Sequence, residues 1–273
     1  MVGLKRFRVL SVLVMAFATL GAQASQRVAL VIGNGAYQHT QRLTNPVNDA
    51  SDISAALRKL GFEVHSGNNL DANSMRSRLQ SFAGAANGAE LALVFYAGHG
   101  IQAEGTNYLI PVDAKLDTPL SLRFQGIAMS DVMAATSGAR TKVLLVDACR
   151  DNPLANQWAS EGRNVSRGLG RIDSTDGGTL IAFATRPGAI AADGAGRNSP
   201  FTSALLQHLE TPGIELRILL TRVRNRVLEL TRNAQEPWTE ESLRSEIYLL
   251  PGSGSTATAQ SVPAFDPRSV ELA

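Results

Sequence analysis

Apolar residues along this chain fall into two patterns: short continuous runs, and longer runs spaced at three and four. Arg27–Gly33 (RVALVIG) is a β-branched run closed by small and polar residues, and it predicts a buried first strand. In the stretch that follows, Ile53, Ala56, Leu57 and Leu60 share one helical face, with Asn48 or Asp49 as the expected cap and Gly61 as the stop. Phe62–His65 predicts a short second strand. Asn73–Ala86 predicts an amphipathic helix carrying Met75, Leu79 and Phe82, and Leu91–Ala97 a third strand. This regular alternation implies a parallel sheet with right-handed crossovers.

Residues 101–127 hold no long periodic segment; Asn107–Pro111 reads as a small strand and Val112–Asp117 as a loop. A short helix from Ser130 or Asp131 leads to the apolar run Val143–Asp147. Asp151–Gly178 is irregular and rich in Gly, Asn, Ser and Arg, a length usually reserved for functional or disordered connections. Thr179–Thr185 is a further buried strand, followed by the loop Arg186–Asn198. Ser199-Pro200 opens a helix through Leu209, and Ile214–Arg232 is a longer one with Leu216, Leu219, Leu220, Val223 and Val227 inward. Ile247–Leu250 is expected to be the final edge strand. The tail 251–273 is Ser/Thr/Ala/Pro-rich, the composition of a disordered segment.

Composition changes the picture at the N-terminus. Lys5, Arg6 and Arg8 precede an apolar run, Val9–Leu20, and Ala22-Gln23-Ala24 offers a small-x-small cleavage site, so residues 1–24 read as a secretory signal. The expected location is therefore exported, periplasmic or secreted, with no membrane attachment after removal. Without that segment, 23 Lys+Arg face 24 Asp+Glu, a net charge of −1. No basic patch then points to nucleic acid, and aromatic residues are too sparse for a stacking platform. Gly33-Asn34-Gly35 begins like a dinucleotide fingerprint, but its third glycine would fall at Gln38, so nucleotide binding is not expected.

The candidate chemistry sits at two strand ends. KVLLVDACRDNP runs from the apolar Val143–Val146 into Cys149, the one cysteine of the chain, which excludes an internal disulfide. LALVFYAGHG ends the same way, with His99 standing where Cys149 stands on the other strand. A lone thiol and an imidazole brought to one rim of a parallel sheet are the parts of a cysteine nucleophile and its base. Gly98 and Gly100 leave backbone room beside His99, so the Gly100 and Cys149 amides are the candidate oxyanion hole.

RVALVIGN, NPVNDA, FYAGHG, LLVDACRDNP and ATRPG…NSPFTSALLQHL together resemble the caspase-like peptidases, and among them the bacterial metacaspase-like (orthocaspase) members. The likeness spans about Arg27–Leu250. It implies a three-layer α/β/α caspase–hemoglobinase fold within a peptidase domain over 25–250. That domain would comprise a large-subunit-like part (27–152), a linker (153–178) and a small-subunit-like part (179–250), with His99 as base and Cys149 as nucleophile. Caspases that cut after aspartate line their primary pocket with arginines and a glutamine, whereas metacaspases use acids and cut after Arg or Lys. Here Asp147 stands two before the nucleophile, where aspartate-cutting relatives have glutamine. Asp49 is similar to the metacaspase pocket aspartate, and Asp193 falls near a caspase pocket arginine. These acids suit a guanidinium and repel an acidic side chain. Ala97 departs from the family, which commonly has serine there.

If the enzyme cuts after arginine, Arg163, Arg167 and Arg171 in the linker are candidate self-cleavage sites. No cofactor is required by this chemistry, and neither EF-hand nor zinc-ligand spacing occurs; calcium enters only by analogy with metacaspases. The expected partners are proteins or peptides with basic residues, and the resemblance favours a monomer. A catalytically silent caspase-like domain binding a peptide or partner is the alternative, and a periplasmic small-ligand binder a third class.

Overall fold

The computed structural model describes residues 26–103, 105–149, 177–187, 189 and 191–252. The signal-like segment, most of the linker with Arg163, Arg167 and Arg171, and nearly all of the tail lie outside the described residues.

The strands are β1 (Arg27–Gly33), β2 (Glu63–Asn68), β3 (Leu91–Ala103), β4 (Thr106–Leu109), β5 (Ile127–Ala128), β6 (Thr141–Cys149), β7 (Thr179–Phe183) and β8 (Trp238–Glu241). The helices are α1 (Pro46–Lys59), α2 (Ala72–Ala86), α3 (Pro119–Gln125), α4 (Met129–Thr136), α5 (Pro200–His208) and α6 (Leu216–Leu230). The main sheet has the order β2-β1-β3-β6-β7-β8, and β4 pairs with β3 and β5 at one end. All main-sheet pairings are parallel except β7 with the edge strand β8. The fold is a mostly parallel α/β sheet with helices on both faces, the three-layer α/β/α architecture that the resemblance implies.

Alternation along each strand divides the core into two. Val31, Leu93, Phe95, Val143, Leu145 and Ala182 pack against α1, α5 and α6 through Ile53, Leu57, Phe201, Leu205, Leu219 and Val223. Leu30, Ile32, Val94, Tyr96, Leu144, Val146 and Phe183 pack against α2 and α4 through Met75, Leu79, Phe82, Met129 and Val132. Each such fully buried aliphatic or phenyl side chain contributes roughly 1.5–3 kcal/mol.

Several elements differ from the sequence expectation. Helix α1 starts at cap Asn45 with Pro46 in its first turn, one turn earlier than expected, so neither Asn48 nor Asp49 caps it. Asp49 is instead buried at 1% exposure inside the first turn. β3 and β6 continue past Ala97 and Asp147 and carry His99 and Cys149 within the strands. α3 was not expected at all; it is opened by a reciprocal Thr118–Ser121 capping box. α4 begins at Met129, just before Ser130. The final edge strand is Trp238–Glu241, whereas in 247–250 only Tyr248 makes a single antiparallel bridge, to Glu215.

The Gly33-Asn34-Gly35 turn has a packing explanation. A Cβ on Gly33 would collide with the Pro46 carbonyl, so glycine lets the start of α1 lie directly against the end of β1.

Candidate active site

The pairing of β3 with β6 runs in register from Leu91 opposite Thr141 to His99 opposite Cys149. The two residues are therefore direct neighbours across a parallel ladder, where strands lie about 4.8 Å apart. Gly100 follows His99 on β3, where it pairs with Leu109 of β4.

The imidazole is held by the loop between β1 and α1. His99 is buried, and its Nε2 lies 2.7 Å from the Gln41 carbonyl. A carbonyl only accepts, so Nε2 carries the hydrogen and the basic lone pair of the neutral ring falls on Nδ1. The Tyr37 ring covers the imidazole at 4.3 Å between centroids. The loop itself is fixed at several points. The Asn69 side-chain carbonyl accepts from the Gly35 and Ala36 amides at 2.9 Å each, and the Gln38 amide donates to Val112 O at 2.8 Å. Buried Asn34 donates to Ile110 O and accepts from the Leu70 amide.

The acids expected around a specificity pocket come together on the α1/α5 face of the sheet. Val143 and Leu145 point to that face, and period-two alternation places Asp147 there as well. Its carboxylate accepts from the Ser199 hydroxyl and, at 2.7 Å, from Thr202 Oγ1. The Asp49 carboxylate, reaching from α1, accepts from the Ser199 amide at 3.1 Å. Both acids thus meet at the N-terminus of α5, whose cap is Ser199 and whose orphan amides favour negative charge. Asp193 approaches from the loop before α5, where its Oδ2 accepts from the Thr44 amide at 3.0 Å and Thr44 Oγ1 at 2.9 Å.

This crowding has an electrostatic consequence. Burial holds the Asp49 carboxyl well above the ordinary carboxylate range, with the charges of Asp147 and Asp193 pushing the same way. Burial likewise raises Asp147, against the opposing hydroxyl bonds from Ser199 and Thr202. Among the described residues, no basic side chain forms a hydrogen bond or ion pair with Asp49 or Asp147, although the Arg197 charge is felt at Asp49. The nearby Arg197 donates from Nε and Nη2 to the two carboxylate oxygens of Asp52, at 3.0 and 2.9 Å. Crowded, buried carboxyls that resist ionisation are groups whose ionised form a cationic ligand would stabilise.

Several residues of this arrangement left little trace in the sequence. Gln41 acts through its backbone, where residue type leaves no mark. Ser199 reads as a helix opener, which it is, but nothing local shows that its hydroxyl and amide also engage two distant carboxylates. Tyr37 sits in a polar loop with no periodicity.

The parallel sheet thus sets an imidazole-bearing residue directly beside the cysteine on the neighbouring strand. The caspase domain family model (Peptidase_C14) matches residues 26–248, and the chain belongs to that family of caspase-like cysteine peptidases. Over 130 residues, 46% of this chain, it is 31% identical to the human (Homo sapiens) mucosa-associated lymphoid tissue lymphoma translocation protein 1. It is 30% identical to the mouse (Mus musculus) homolog over the same length. In each case the matched region is 15% of the relative's length. Among solved structures, caspase-1 from Spodoptera frugiperda superposes with a TM-score of 0.60 at 18% identity, covering 85% of this chain and 92% of that one. That likeness is one of fold.

Proposed function

We propose that this protein is an exported cysteine endopeptidase that cleaves after Arg or Lys. Cys149 is the nucleophile. His99 takes the thiol proton, and the thiolate attacks the carbonyl carbon of the scissile bond. The Gly100 and Cys149 amides stabilise the tetrahedral oxyanion. His99 then delivers its proton to the leaving amine, releasing the C-terminal product and leaving an acyl thioester on Cys149. Water, activated by the neutral imidazole, hydrolyses that ester and returns the proton. The observation that carries this reading is the register that sets His99 opposite Cys149, with Asp147 two residues before Cys149 on the same strand and Asp49 close to it.

Asp49, Asp147 and Asp193 form the primary specificity pocket in this reading, and a guanidinium or ammonium enters as their counter-ion. Arg163, Arg167 and Arg171 would make the linker a substrate of the same pocket, so the chain matures by cutting itself between its large- and small-subunit-like parts. Residues 1–24 direct export. The protein acts as a monomer on basic protein or peptide substrates and requires no cofactor.

Fluorogenic peptides ending in Arg, Lys or Asp, presented with and without calcium to mature protein and to Cys149→Ala, test the reading. Arg and Lys cleavage lost in the variant is expected. Cleavage after Asp would keep the mechanism and overturn the pocket. No cleavage, even by linker-nicked protein, would transfer the domain to a partner-binding role.

A further inference from the structure

Two buried tyrosines grip the peptide unit of His99 from both sides. The His99 N–H donates to Tyr37 Oη at 2.7 Å, and Tyr96 Oη donates to the His99 carbonyl at 2.8 Å. The hydroxyls lie 3.3 Å from each other, and each also reaches Ile110 O, at 3.3 Å from Tyr37 and 3.2 Å from Tyr96. The Ile110 amide completes the ring by donating to Tyr96 Oη at 3.2 Å. Both tyrosines are almost fully buried, at 2% and 0% exposure.

The neighbouring residue is shaped for this arrangement. Gly98 has φ +156°, and a Cβ there would lie 2.6 Å from each tyrosine hydroxyl. Only glycine lets the two phenols close on the His99 backbone. Tyr37 belongs to the same loop as Gln41, so one segment holds the residue at three points: its amide, the face of its ring and its Nε2–H. Tyr96 precedes His99 on the strand and, with the Ile110 amide at 3.1 Å, holds the remaining carbonyl. Among the described residues, the two hydroxyls bond to backbone groups and to each other.

We propose that Tyr37 and Tyr96 are positioning residues that fix the His99 imidazole in its Nε2–H tautomer and aim Nδ1 for proton transfer, a role that rests on His99 being the base. Placing a catalytic group inaccurately by about 1 Å costs on the order of a hundredfold in rate, so removing one hydroxyl while keeping its ring is expected to lower kcat by about tenfold or more with KM nearly unchanged.

The test uses the mature chain labelled with 15N-histidine; it holds four histidines, and His99→Gln identifies the signal of interest. In wild type the neutral His99 ring is expected as the Nε2–H tautomer with a slowly exchanging proton. Tyr37→Phe and Tyr96→Phe are each expected to mix the tautomers, speed that exchange and lower kcat on an Arg peptide. Should Tyr37→Phe fail to fold, Tyr96→Phe carries the same test through the carbonyl side. Wild-type imidazole signals in both folded variants overturn the proposal, whatever their activity. A wild-type chain that cleaves no peptide would instead overturn the peptidase reading, and the imidazole signals would still decide the positioning role.

Discussion

Asp147→Asn should make this protein more stable and, at the same time, a poorer enzyme. The side chain is 5% exposed and accepts hydroxyl bonds from Ser199 and Thr202, which an amide oxygen can also accept. What asparagine removes is the charge. Burial outweighs the hydroxyl bonds and raises the carboxyl, so the folded state binds its proton more tightly than the unfolded chain, where aspartate titrates near 3.9. Stability from this group is therefore complete at acid pH and is lost as pH rises from the unfolded pKa through the raised folded one. Each unit of that shift is worth 1.36 kcal/mol, and a gain of about 1–3 kcal/mol is expected for the variant at pH 8. That corresponds to roughly 2–10 °C in Tm. Towards about pH 3, where the aspartate is protonated in both folded and unfolded chains, the two melting curves should converge.

In the proposed pocket, the same substitution would also remove a charge-assisted bond to the substrate guanidinium. At about 1.5–3 kcal/mol, that lowers kcat/KM for Arg peptides roughly ten- to hundredfold. Hydrolysis of an uncharged citrulline peptide should change far less. Thermal melts from pH 3 to 8, paired with kcat/KM on the two peptides, read both effects. A variant less stable than wild type at pH 8, with its Arg preference intact, would refute the reasoning and make Asp147 a structural anchor for α5.

Affinity for Arg peptides should rise with pH for the same reason, because a cation binds the ionised pocket and must expel protons from the raised Asp49 and Asp147 carboxyls. KM measured across pH 5–9 should fall, and a flat profile would count against these two acids as the pocket. Gly98→Ala should both lower Tm and suppress kcat, since its Cβ would press on the hydroxyls of Tyr37 and Tyr96 at 2.6 Å; wild-type values in a kinetic and melting comparison would deny the tight enclosure of His99.

The parallel core was legible because its strands are continuous β-branched runs and its helices carry one apolar face. Those signals come from burial itself. The edge strand was not legible, because Trp238–Glu241 is polar and partly exposed and leaves no apolar run. Ile247–Leu250 attracts attention instead through Leu249, which tucks into the core beside α6. α3 escaped notice because Leu120 and Phe124 are exposed, so its apolar residues do not mark an inner face. At the site, His99 and Cys149 were visible as equivalent strand ends. Their exact pairing follows from equal strand lengths, Leu91 to His99 and Thr141 to Cys149, once the register is known. The acids were visible one by one, and their convergence on Ser199 depends on α5 docking against α1, a contact about 150 residues apart in sequence that no local pattern encodes.

The most direct test of the central claim is covalent labelling of the mature protein by peptidyl acyloxymethyl ketones ending in Arg or Asp, read by mass spectrometry of the intact chain and its peptides. The Arg reagent is expected to add once, on Cys149, rapidly in wild type and much more slowly in His99→Ala, with little labelling by the Asp reagent. Preferential labelling by the Asp reagent, or a Cys149 whose reactivity is indifferent to His99, would contradict the account.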